Sequence, residues 1–354
     1  MAKKIILTGE RCTGKLHLGH YVGTLRERLK IQASGDYDEF YIMIADGQSL
    51  TDNSRNVQKV RDNLINVALD YLAIGLDPSK VTMFIQTEVP ELAELSFYLM
   101  NMVSLNRLLR NPTVKTEIKE KGFGESVPVG FATYPVSQSA DILCFDGTIV
   151  PVGDDQLPMV EQCREIARTF NQLYGYTFEE PKAVVSGDKS CARLPGLDGN
   201  AKMSKSLGNC IYLSDTTEEV SRKVMSMYTD PDHIHVNDPG KVEGNMVFTY
   251  LDVFATNEDV REFMEGYSSL EDVKAHYRRG GLGDVKIKKL LIAVLEKLLT
   301  PIRERRKYYE NNISEVYDII FAGSDKARSK AAQVLARVKK NMGINYREMY
   351  RGEN

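Results

Sequence analysis

The 354-residue chain contains no tryptophan, only 5 cysteines and only 5 histidines. It also has no apolar run near the ~18 residues that cross a membrane. Each scarcity excludes something. Cys12, Cys144, Cys163, Cys191 and Cys210 are odd in number and form no C-x-x-C pair. Neither a disulfide framework nor a zinc or iron–sulfur site is therefore expected, and reduced thiols are the default. Without a long apolar run there is no membrane partner. The first residues offer two lysines and a three-residue apolar run, which is not a signal-peptide pattern, so a cytoplasmic protein is expected. Lack of tryptophan leaves 18 Tyr and 12 Phe as the aromatic set. What remains is ordinary for a globular protein, 42% hydrophobic and 27% charged. The net charge of −3 averages two unlike parts. From Lys274 to Asn354 there are 19 Lys and Arg against 9 Asp and Glu, and elsewhere 27 against 40. A basic C-terminal region on an acidic protein suits a polyanion partner, or simply solvated helix faces.

The most informative stretch is the first turn, Gly9-Glu10-Arg11-Cys12-Thr13-Gly14-Lys15-Leu16-His17-Leu18-Gly19-His20. Before it, Lys4-Ile5-Ile6-Leu7 reads as a short buried strand. After it, Leu18, Val22, Leu25 and Leu29 fall at helical spacing. Strand, glycine-rich turn and helix together present backbone N–H groups to an anion. Gly9, Gly14 and Lys15 nearly match a P-loop, but Leu16 stands where Ser or Thr would hold magnesium. The other reading is His-x-Gly-His. That spacing puts His17 and His20 on one helix face, and each imidazole can donate to a phosphate oxygen. Gly19 between them lets a nucleotide approach the backbone closely.

The front half alternates. Phe40-Tyr41-Ile42-Met43-Ile44 and Val81-Thr82-Met83-Phe84-Ile85 read as strands, with helices expected over 56–75 and 90–109. Such alternation argues a parallel sheet with helices on both faces, whose ligands bind at the C-terminal strand ends. Asp46 and Gln86 lie at such ends. From 111 to 131 the pattern lapses into glycine, proline and charge and reads as an insertion. Lys115 and Lys119 within it are candidates to reach phosphate, against the plainer reading of exposed lysines. Tyr134, Gln138 and Asp141 then form a polar stripe on an apolar helix, which suits a ligand pocket better than a solvated face. Val150-Pro151-Val152 is a short strand with Gly153-Asp154-Asp155-Gln156 as its turn, and a helix follows over 156–174. The stretch 186–209 is a loop carrying Lys202-Met203-Ser204-Lys205-Ser206, whose two lysines suit a triphosphate. Beyond Ser214 only helical patterns occur, over 216–228, 246–255, 258–279, 285–310 and 314–341.

The ordered set of His17-Leu18-Gly19-His20, Gly153-Asp154-Asp155-Gln156 and Lys202-Met203-Ser204-Lys205-Ser206 resembles the class I aminoacyl-tRNA synthetases, and within them the tryptophan-specific branch. The similarity covers nearly the whole chain and includes Thr229-Asp230-Pro231 and Glu243-Gly244-Asn245. It implies an α/β fold: a doubly wound parallel (Rossmann-like) catalytic domain over 1–214 and an α-helical anticodon-binding domain over 215–354. The last helix is a candidate to pack back on the sheet. It implies an ATP-dependent, AMP-forming ligase that activates tryptophan and transfers it to tRNA(Trp), working as a homodimer with ATP and substrate-borne Mg²⁺. His17, His20, Lys202, Lys205 and Lys115 would act in catalysis. Arg11, Gly19, Gly153, Asp155, Met203 and Ser204 would join the two loop lysines around ATP. Leu7, Gln48, Tyr134, Gln138, Asp141, Val150, Val152 and Gln156 would hold tryptophan, with Asp141 accepting the indole N–H and Tyr134 and Gln156 the ammonium. The chain departs from the usual pattern at Gln48 (commonly His), Cys12 (commonly Pro) and Gln138 (Met in some relatives), and carries extra residues before Arg193. The nearest rival is the tyrosine-specific branch, which shares the Tyr-x-x-x-Gln-x-x-Asp stripe. A tRNA-independent nucleotidyltransferase and a non-catalytic paralogue are more distant alternatives.

Overall fold

The computed structural model describes residues 3–185, 194–199, 203 and 207–351. Its centre is a five-stranded parallel sheet in the order β3-β2-β1-β4-β5. The strands are β1 (Ile5–Glu10), β2 (Glu39–Ile44), β3 (Thr82–Ile85), β4 (Ile149–Pro151) and β5 (Lys182–Val184). Phe40 to Ile44 is a continuous buried run, as a strand covered on both faces requires. Ile5 to Glu10 pair in register with Glu39 to Ile44 on one side, and Ile6 meets Ile149 on the other.

Helices connect and cover these strands. α1 (Leu18–His20) continues through a π-helical turn, Tyr21–Leu25, into α2 (Arg26–Ser34). α3 (Asp46–Ser49) and α4 (Val57–Ala73) link β2 to β3. α5 (Glu91–Leu99), α6 (Leu105–Leu109), α7 (Pro112–Glu120) and α8 (Val129–Leu143) follow β3, and α9 (Leu157–Tyr174) joins β4 to β5. The remainder is helical: α10 (Thr217–Met225), α11 (Met246–Phe254), α12 (Asn257–Phe263), α13 (Leu270–Arg279), α14 (Asp284–Asn311), α15 (Ile313–Asn341) and α16 (Tyr346–Arg351).

Several expectations change. The first turn starts two residues later, because Gly9 and Glu10 remain paired in β1. Gly9 is required there: a Cβ would meet the Met43 carbonyl oxygen at 2.7 Å. The helix expected over 90–109 is interrupted at Met100–Met102 and restarts at Ser104, whose hydroxyl accepts from Arg107 N. The insertion over 111–131 contains α7, started by Asn111 as N-cap and Pro112 in the first turn. The pattern over 258–279 is two helices, the second capped by Ser269 accepting from Asp272 N. β5 carried too few apolar residues to be read as a strand.

The helices beyond 215 share the core of the front half. One apolar cluster runs from Ile6 and Ile42 through Val220 and Phe248 to Leu291 and Ile320. α14 is also pinned to α4: buried Arg306 pairs with buried Asp70, whose other oxygen accepts from Leu16 N at 2.8 Å. Burial raises the Asp70 pKa, and Arg306 opposes that shift. α15 covers the free edge of β3. The Ile85 N–H donates to Ser324 Oγ at 3.1 Å, which satisfies a group that an edge strand would otherwise expose. A Cβ on Gly323 would sit far inside van der Waals contact distance of the Met83 carbonyl oxygen, so the helix approaches only because no side chain intervenes. Gly323→Ala should therefore lower stability by about 1–3 kcal/mol, the usual penalty of overpacking. Gly130→Ala, with open space around that position, should not. Urea unfolding midpoints of the two variants check this, and equal midpoints would contradict the packing described.

Candidate active site

A cleft of about 1160 Å³ opens at the C-terminal ends of β1 and β4. These two strands adjoin although they are distant in sequence, so their connections leave in opposite directions and part the chain between them. Leu7, Met43, Val150 and Val152 give the cleft an apolar floor.

At one end lies the histidine pair. His17 is the N-cap of α1, and its Nδ1 accepts from Gly19 N at 3.1 Å. His20 Nδ1 accepts from His17 N at 3.2 Å, and the ring centroids are 3.9 Å apart. A neutral imidazole that accepts at Nδ1 carries its proton on Nε2. Gly19 is constrained on two sides: a Cβ would meet the His17 ring at 2.9 Å and Met203 Sδ at 3.4 Å. Met203 is 2% exposed, and its sulfur accepts from Gly19 N at 3.3 Å. The late loop motif therefore anchors on the early histidine turn through its central methionine. Lys202, Ser204 and Lys205 lie outside the described residues. The chain after the loop docks on the histidine turn, with Leu18 N donating to Ile211 O and Leu213 N to Leu16 O.

At the other end α8 presents its polar stripe. Asp141 is 1% exposed, and Gln86 Nε2 donates to both its oxygens, at 2.8 and 3.0 Å. Burial pushes this carboxyl up to about 7, against the lowering effect of Gln86. Gln86 Oε1 accepts from Gln48 N at 2.8 Å, so its amide orientation is set from both ends. Gln48 Nε2 reaches the Tyr134 carbonyl at 3.5 Å. The Tyr134 hydroxyl donates to Glu117 at 2.7 Å; burial and that carboxylate raise its pKa. Gln138 Nε2 and Gln156 Oε1 are 3.4 Å apart across the stripe.

Between the two ends, the turn after β4 brings Gly153 and Asp155 to the wall. Thr113 Oγ1 of α7 donates to the Asp155 carbonyl at 2.6 Å. Arg11 also lines the cleft and pairs with Asp52. Lys115 is not brought in: it is exposed on α7 and lines no part of the cleft, because that helix turns Glu117 inward instead. Sequence reasoning missed Gln86 as a partner, and missed Glu117 and Asp52 altogether. Gln86 had one usable signal, its position directly after β3. Glu117 and Asp52 had none: Tyr134 lies on the helix after Glu117, Arg11 and Lys121 lie far from Asp52 in sequence, and no local spacing marks either set of contacts.

The chain matches a family model described as tRNA synthetases class I (W and Y) over residues 2–300. It is 58% identical over 347 residues to a tryptophan–tRNA ligase of Clostridium longisporum, covering 98% of each chain. It is 56% identical to that of Streptococcus mutans, covering 98% of this chain and all of the relative. Among solved structures, tryptophanyl-tRNA synthetase from Campylobacter jejuni, complexed with ADP and tryptophan, aligns with a TM-score of 0.80 at 29% identity, over 96% of this chain and 99% of that one. With its parallel sheet opened between β1 and β4 and its histidine turn meeting Met203 at Gly19, the chain belongs to the class I tRNA synthetases of the tryptophan and tyrosine type.

Proposed function

We propose that the chain is a tryptophan–tRNA ligase, which condenses tryptophan with ATP to the adenylate and pyrophosphate and then transfers tryptophan to tRNA(Trp). The observation that carries the specificity is the buried Asp141 carboxylate, held by Gln86 in a cleft floored by Leu7, Met43, Val150 and Val152. A buried acceptor of this kind selects a ligand that brings an N–H donor and penalises one that does not. Tyr134, Gln156 and Glu117 suit the ammonium. The amino acid carboxylate then attacks the α-phosphorus, and negative charge grows on the equatorial phosphate oxygens. Nε2–H donors from His17 and His20 stabilise that charge more than they stabilise bound ATP. Lys202 and Lys205 would act on the departing pyrophosphate. Mg²⁺ would arrive on the ATP phosphates, as it commonly does at nucleotide sites.

The basic excess after Lys274 supports tRNA binding by the helical region over 215–354. Phe97, Leu105 and Val129, each more than half exposed on the packed elements α5, α6 and α8, support a homodimer. Among the described residues no helix is long and apolar enough to cross a membrane.

ATP–pyrophosphate exchange tests the reading. Tryptophan should support exchange, and tyrosine and phenylalanine should not; exchange with tyrosine would favour the tyrosine-specific branch, which also uses a carboxylate on this stripe. His17→Ala or His20→Asn should lower kcat about 10²-fold with little change in the KM for ATP. Rates within a few fold of wild type would remove both rings from the mechanism.

The raised Asp141 pKa adds a pH dependence. Above about pH 7 the carboxyl is ionised and accepts the indole N–H; below it, the proton must first leave. Tryptophan affinity should therefore fall by roughly tenfold per unit as pH drops below that value. The sulfur isostere benzothienylalanine, which has no N–H, should bind weakly with a flatter profile, and Asp141→Asn should flatten the profile for tryptophan. Equilibrium titrations between pH 5 and 8 measure this, and parallel profiles for the two ligands would contradict the assignment.

A further inference from the structure

Among the described residues two arginines line the cleft, each with one buried guanidinium nitrogen unmatched there, Arg28 Nη1 and Arg11 Nε, but they are held differently. Arg28 is 1% exposed and turns its guanidinium onto Thr8, the Gly9 carbonyl and Glu10, beneath the strand ends. Arg11 stands in the wall itself, its side chain 34% exposed. One end of its guanidinium, Nη2, is fixed by Asp52, while its Nε is buried and has no hydrogen-bond partner in the described structure. A buried donor left unmet costs free energy, which a ligand acceptor at that point would recover.

Asp52 is built to hold Arg11 in place. Its side chain is 5% exposed, and it also takes Lys121 Nζ at 2.5 Å and Asn53 Nδ2 at 2.6 Å. Burial alone would raise its pKa, but Lys121 and Arg11 more than offset that and keep it below the ordinary value. Lys121 caps the C-terminus of α7, the helix whose Glu117 takes the Tyr134 hydroxyl. Arg11 and Lys121 share the Asp52 carboxylate, while Glu117 and Asp155 line the same cleft near Tyr134. Arg11 is close enough to Tyr134 for its charge to counter the raising effects of burial and Glu117 on that hydroxyl. The ligand group that suits an oriented guanidinium fork here is a carboxylate, which it can meet with two parallel hydrogen bonds.

We propose that Asp52 is a positioning residue for amino acid activation: it anchors one end of Arg11 so that the remaining N–H groups of the guanidinium hold the carboxylate of the bound amino acid. This rests on the tryptophan–tRNA ligase reading and adds to it a residue that directs the attacking group. Holding that carboxylate at a set angle converts binding into orientation for the attack on phosphorus.

The absence of tryptophan from the chain makes the test direct, because indole fluorescence then comes from the ligand alone. The probes are tryptophan and tryptamine, which share the indole and the ammonium and differ by the carboxylate. Wild type should bind tryptophan about tenfold or more tightly than tryptamine, the scale of one charge-assisted hydrogen bond. Asp52→Asn should weaken tryptophan about tenfold and leave tryptamine within about twofold, so that the ratio collapses. Arg11→Lys, which keeps the charge pair with Asp52 but lacks the fork, should collapse the ratio in the same way. Loss of both ligands together in both variants would make the pair structural and overturn the proposal. An unchanged ratio, with a raised KM for ATP in exchange, would assign Arg11 to the nucleotide and also overturn it. If wild type binds neither ligand, the functional reading itself fails, and that outcome is distinct from the others.

Discussion

The parallel pairing of β1 with β2 on one side and β4 on the other is the constraint on which the rest depends. Parallel neighbours cannot be joined by tight turns, so every connection must cross a face of the sheet and every strand ends at the same rim. Where the chain leaves β1 in one direction and β4 in the other, that rim parts into a cleft. The histidine turn follows β1, and the Gly153–Gln156 turn follows β4. Their separation by more than a hundred residues in sequence disappears in space because Ile6 lies opposite Ile149.

On this frame the polar groups are placed at a cost. Asp141 is a carboxylate in an apolar floor, and Asp70 is another beneath the histidine turn. Each is stabilised by a partner from a distant element, Gln86 in the first case and Leu16 N with Arg306 in the second. The two solutions differ in consequence. Asp141 is left with a neutral partner and a raised pKa, ready for a ligand donor. Asp70 faces a full positive charge and ties α14 to the turn that carries His17. The helices after 215 are thereby joined mechanically to the early motif, through α14 at Asp70 and through α15 along β3.

What the sequence made legible follows the range of the interactions. β1, β2 and β3 are runs of branched and aromatic residues, and their apolar content announces them. His17 to His20, Tyr134 to Asp141 and Gly153 to Gln156 are local patterns whose spacing puts side chains on one face, and the structure brings all of them to one cleft. The resemblance to a synthetase family supplied roles that spacing alone left open. Illegible features were those decided by distant partners. Gly323 resembles any helix glycine until β3 lies against it. Glu117 and Lys115 are neighbours on a polar stretch, and only the docking of α7 turns the carboxylate in and leaves the lysine out. Asp52 sits in a polar segment with no periodicity, and its role arises from Arg11 on one side and Lys121 on the other.

On the proposed function, the cleft between β1 and β4 selects an indole by its N–H and the protein delivers that amino acid to tRNA. Incubating the protein with ATP, Mg²⁺, bulk tRNA and all twenty amino acids at equal concentration, then identifying the esterified amino acids by mass spectrometry, tests it most directly. Tryptophan should be the amino acid recovered on tRNA. Recovery of tyrosine, or of no esterified amino acid, would contradict the account.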